Sequence, residues 1–116
     1  MKETIQNMNL KIHKLDEVWT ADHIRLGLAE RIYHRKEGVN PDLELYGSYL
    51  EIENFDLGYN YYIPFDFIHD DDHGNQGIEL TVTFEDVQKN TWSRMPHFIA
   101  RGEARIEELP VASSIH

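Results

Sequence analysis

Ala21-Asp22-His23-Ile24-Arg25-Leu26-Gly27-Leu28-Ala29-Glu30-Arg31-Ile32-Tyr33-His34-Arg35-Lys36 is the stretch on which the architecture turns, because two hydrophobic periods overlap in it. Ala21, Ile24, Leu28 and Ile32 recur every three or four residues, the spacing of one helix face. Asp16 and Thr20 stand ahead of them as alternative N-caps. Arg31, His34, Arg35 and Lys36 gather where the helix dipole favours cations, and Gly38 is placed to end the helix. On this reading a helix spans residues 21–36. Ile24, Leu26 and Leu28 also alternate, however, and Gly27 costs a helix interior about 1 kcal/mol relative to alanine. The rival reading is a strand, and with it a nearly all-β fold.

Outward from this stretch the period is two. Met8, Leu10 and Ile12 predict a first strand within residues 4–14. After Asn40-Pro41, Leu43 and Leu45 alternate, then Gly47 and Tyr49, with a slip that turns Leu50 and Ile52 inward; two strands or one bulged strand fit equally. Tyr59, Tyr61, Ile63, Phe65 and Phe67 form a longer series broken by Pro64, which has no N–H for a ladder and so marks an edge or a bulge. His69 to Gly77 is a polar loop. Ile78, Leu80, Val82 and Phe84 then alternate against Glu79, Thr81, Thr83 and Glu85, the clearest strand pattern in the chain. Residues 86–96 read as irregular, Phe98 to Ile106 as a last strand, and 110–116 as a frayed tail. The sum is a single domain over residues 1–116 with an α+β fold: an antiparallel sheet of about five to six strands with one helix packed on it. The alternative is an all-β barrel or sandwich.

Charge is distributed unevenly. The 52 residues Glu37 to Gln88 hold thirteen of the twenty-one Asp and Glu and none of the eleven Lys and Arg, together with five of six tyrosines and four of five phenylalanines. That block carries −13 and the flanks together +3, giving the chain its −10. Such a charge repels nucleic acid and anionic lipid and favours a basic protein partner. Zero cysteines exclude disulfides, thiolate metal sites and cysteine nucleophiles. Met1 to Met8 lacks the apolar run of a signal peptide, so a cytoplasmic location is the expectation.

Few residues suggest chemistry. His69, Asp71 and His73 are the metal candidate, yet three consecutive aspartates followed by Gly74 disfavour the helix that would put both imidazoles on one side. A calcium loop with Gly74 at its sixth position would carry Leu80 where a bidentate Glu is needed. Ser48 and Ser93 sit in no nucleophile elbow, and the glycines form no phosphate loop. No cofactor signature is present. Tyrosine among carboxylates does suit a cationic protein surface. Alternation puts Asn60, Tyr62 and Asp66 opposite Tyr61 and Phe65, and puts Glu51 and Glu53 together on what reads as the wet face. The expected partner-binding set is therefore Glu51, Glu53, Tyr62, Asp66, Asp70, Asp71 and Asp72. The function expected first is a non-enzymatic acidic binding module, inhibitor-like or immunity-like, that docks on a basic protein. The second is a small β-rich ligand-binding domain or enzyme with a weak metal site at His69–His73. The third is a homo-oligomer pairing through the edge that Pro64 marks.

Overall fold

Residues 21–36 form no helix. In the structure, a computed structural model that describes residues 12–36, 46–69 and 77–111, Arg25–Arg35 is an eleven-residue strand, β2, at the heart of the sheet. The helical spacing has a specific origin in two bulges. Val18 pairs with Gly27 and Trp19 with Arg25, so Leu26 has no opposite residue. Ala29 pairs with Ile52 and Arg31 with Glu51, so Glu30 is the extra residue on the other edge. Each insertion lengthens the strand's period locally by one. The core-facing residues are thus Leu26, Ala29 and Ile32, three apart, which imitates a helix face. Ala21 and Ile24, which the helix would bury, are exposed in the turn before β2. Gly27 is required at the first bulge: its φ is +149°, and an added Cβ would collide with the Glu53 carbonyl.

Around β2 the described residues build a mixed, open, six-stranded sheet with two short helices. Its strands are β1 (Glu17–Trp19), β2, β3 (Ser48–Asn54), β4 (Tyr59–Pro64), β5 (Ile78–Glu79) and β6 (Ala104–Glu108). The order is β4-β3-β2-β1-β5, and β6 takes the length of β2 that β1 leaves uncovered. All pairings are antiparallel except β1 with β5. Pro64 ends β4 at the sheet's edge, as its missing N–H suggests. The strand expected in residues 4–14 lies almost wholly outside the described residues, as do Leu43 and Leu45.

Two further expectations are corrected. The alternation from Ile78 to Phe84 yields only a two-residue β5 and a bridge from Leu80 to Ile68, after which Phe84–Lys89 is a helix, α1. Thr83 decides this: its Oγ1 accepts from the Asp86 N–H at 3.2 Å while its own N–H donates to Asp86 Oδ2 at 3.2 Å, a reciprocal cap that satisfies two orphan donors. Likewise the expected last strand opens as a helical turn, α2 (His97–Ala100), and only Ala104–Glu108 is extended.

The sheet is covered on both faces. Ile32, Leu50, Ile52, Tyr61 and Ile63 pack on one side with Val87 of α1 and with Trp92. Tyr33, Tyr49 and Tyr62 pack on the other with Phe98 of α2. The segment between the helices passes the β4 edge, where Tyr62 N–H donates to the Trp92 carbonyl at 2.7 Å.

Candidate functional site

On the Phe98 side of the sheet lies a carboxylate with almost no access to water. Glu51 is 4% exposed, and its two oxygens are divided among four donors from neighbouring strands. Arg31 Nη1 donates to Oε1 at 2.6 Å and the Tyr33 hydroxyl to the same oxygen at 3.2 Å. Asn60 Nδ2 donates to Oε2 at 2.5 Å and the Tyr62 hydroxyl at 3.4 Å. Arg31 also reaches Glu108 Oε2 with Nε, 3.5 Å away. Register explains the convergence, since Arg31 and Tyr62 lie directly across from Glu51 in β2 and β4. Burial, then the charge of Glu51, pushes the Tyr62 hydroxyl up to about 12, and the same two causes raise Tyr33. For Arg31 burial opposes the charge, but hydrogen bonds to Glu51 and Tyr33 outweigh it and hold the guanidinium above its ordinary value. This is a satisfied internal network. It can specify register and carry no chemistry of its own.

Two expected docking residues are therefore corrected. Glu51 and Tyr62, which is 6% exposed, are interior; the face read as wet is closed by Phe98 and the tyrosine cluster. The alternation itself is right, since Glu51, Glu53, Asn60 and Tyr62 do share a face. Glu53 is half-buried and Asp66 exposed. Asp70, Asp71, Asp72 and His73 lie outside the described residues. His69 is half-buried, its N–H donating to the Glu79 carbonyl at 2.8 Å. Among the described residues no group of three or more metal-ligating side chains is assembled. Beside Glu51, the bulge residue Glu30 meets Glu53, whose carboxyl is held above its usual range by that hydrogen bond, then by burial and the charges of Glu30 and Glu51. Lys14 stands 3.7 Å from Glu30. Arg31 thus carries a flank cation into the acidic block across the β2–β3 seam, while Lys14 pairs with Glu30 of the flank itself.

The accessible end of the block is the β3–β4 turn. Phe55 is 65% exposed and Leu57 54%, and Tyr59 is exposed with its ring 5.5 Å from Tyr61. Asn54 holds the turn rigid: its Oδ1 accepts from Leu57 N–H at 2.8 Å, its carbonyl from Gly58 N–H at 3.0 Å, and its Nδ2 donates to the Leu26 carbonyl at 2.7 Å. Gly58 supplies the positive φ of 79° that closes the turn. A groove of about 180 Å³ runs beside it, lined by Arg25, Gly27, Leu28, Glu53, Asn54, Phe55 and Asp56. Sequence alternation missed this site because Phe55 and Leu57 lie between the two strands. The signal available was an apolar pair around Asp56-Leu57-Gly58, where turn residues are ordinarily polar.

Among the described residues no helix is long and apolar enough to cross a membrane. No known protein family matches the chain, and no curated protein or solved structure is significantly similar to it.

Proposed function

We propose that this protein is an acidic binding module that docks on a basic protein partner through the β3–β4 turn. The observation that carries this reading is the exposure of Phe55, Leu57 and Tyr59 on a turn tied down by Asn54. Single exposed apolar residues need no explanation, but three within five residues on a preorganised loop supply rigid anchors at small entropic cost. Asp56 and the neighbouring Glu53 add carboxylates to the anchors, and the net charge of −10 steers a cationic surface toward them. The fitting partner presents an apolar pocket rimmed by Lys or Arg. Asp66 lies among the accessible acids.

Two other readings have less behind them. The groove is smaller than the roughly 300–1,000 Å³ of ordinary ligand pockets. Pairing through the Pro64 edge is obstructed, because Pro64 has no N–H and Tyr62 N–H is already given to Trp92.

The test uses the immobilised full chain and lysate of its source cells. A basic protein retained at low salt, released at high salt and lost when Phe55→Ser and Leu57→Ser are combined supports the assignment. Equal retention by the double variant, verified as folded by circular dichroism, rejects it.

A further inference from the structure

We propose that Ser48 is an activated nucleophile, the first member of a Ser48–His34–Glu107 relay that accepts acyl groups from carboxylic esters. Three adjacent strands build the relay. Ser48 opens β3 directly across from His34 in β2, and Glu107 of β6 pairs with Ile32, one step along the same face from His34. Ser48 Oγ lies 2.7 Å from His34 Nδ1, and Glu107 Oε1 lies 2.7 Å from Nε2.

The chemistry follows from what each atom can do. A carboxylate only accepts, so in the neutral ring the hydrogen sits on Nε2 and the lone pair is left on Nδ1. That lone pair faces the serine hydroxyl. The arrangement has the three roles of a hydrolytic triad, with the two ring nitrogens exchanged. The bulge at Glu30 makes it possible, because one residue fewer would turn His34 to the opposite face. Ser48 and His34 are half-buried and Glu107 is exposed, so the relay stands at the margin of the core within reach of solvent. Arg105, the register partner of His34 in β6, is exposed on the same face and offers a cation to a developing oxyanion.

In the acylation step Ser48 Oγ bonds to the ester carbonyl carbon as its proton passes to His34 Nδ1. The imidazolium is balanced by Glu107. Collapse of the tetrahedral adduct breaks the ester C–O bond, and the proton on Nδ1 leaves with the alkoxide as the alcohol. Water repeats the sequence, returning the acid and free Ser48.

The experiment is labelling of the intact full chain with a fluorophosphonate and with p-nitrophenyl acetate, followed by peptide mapping. Ser48 is expected to be modified faster than the exposed Ser93, and faster than in the urea-unfolded chain. His34→Ala is expected to slow modification by about a hundredfold. Glu107→Gln, at an exposed site that tolerates change, is expected to slow it by about tenfold with an unchanged melting temperature, and Glu107→Asp to restore part of the rate. Modification of Ser48 no faster than Ser93 overturns the proposal, as does a folded Glu107→Gln variant labelled at the native rate. Because Glu107→Gln carries the test, failure of His34→Ala to fold does not protect the idea.

Discussion

At the scale of single residues, Glu51 and Arg31 depend on each other unequally. Glu51 is nearly inaccessible, whereas Arg31 keeps 29% of its side chain exposed. Removing Arg31 therefore strands a buried carboxylate with only neutral donors, while water compensates in part. Arg31→Ala is expected to lower unfolding stability by about 3 kcal/mol, the lower end for a broken buried pair, in urea titrations. A loss below about 1 kcal/mol would show that Glu51 is hydrated after all. The tyrosines around it set a pH dependence. Tyr62 ionises near 12 in the folded chain against 10.0 when unfolded, and Tyr33 and Tyr49 are shifted in the same direction. Between those values the folded state holds more protons than the unfolded one, so stability is complete below pH 10 and falls as pH rises toward 12. Denaturation midpoints measured across that window should drop, and Tyr62→Phe should flatten the slope; an unaltered slope would remove Tyr62 from the account. Alternation alone put Glu51, Glu53, Asn60 and Tyr62 on one face. It could not say that the face is covered, because the covering ring, Phe98, belongs to a distant helix.

At the scale of elements, β2 shows how a local pattern misleads. Its two bulges spread Leu26, Ala29 and Ile32 at intervals of three, and two of the cationic residues that mimic a helix C-terminus, Arg31 and His34, instead donate across the sheet to Glu51 of β3 and Glu107 of β6. The competing clue was Gly27, poor in a helix and obligatory at this bulge. Gly27→Ala must relieve a collision with the Glu53 carbonyl and leave a backbone conformation that side chains resist. The expected cost is more than about 2 kcal/mol, read as a fall in the urea midpoint, with β2–β3 amides losing hydrogen-exchange protection first. A near-neutral substitution would mean that the bulge is not formed. The opposite error occurred at residues 78–84, where alternation promised a strand. Thr83 and Asp86 were three residues apart in plain view, and the local cap outcompeted a ladder that, among the described residues, has no strand beyond β5 to pair with.

At the scale of the whole molecule, the central question is where the charge goes. A chain of −10 folded into one sheet repels itself, and the internal pairs of Arg31 and Lys14 relieve only part of that repulsion. Raising salt from about 0.01 to 0.15 M shortens the screening length to about 8 Å and should raise the melting temperature. A flat or falling midpoint would indicate that attractive pairs outweigh the net charge. Composition, net charge, the sheet-rich character and the shared face of Glu51, Glu53, Asn60 and Tyr62 were determined by sequence alone, because they follow from counting and from the two-residue pleat, whereas Pro64 fitted an edge or a bulge equally until the strand order was known. Tertiary structure decided which face is wet, that β6 returns to complete β2, that Ser48, His34 and Glu107 meet, and that Phe55 and Leu57 remain outside. Each of these depends on contacts between residues far apart in the chain, and no local period encodes what will be packed across a strand or on top of it.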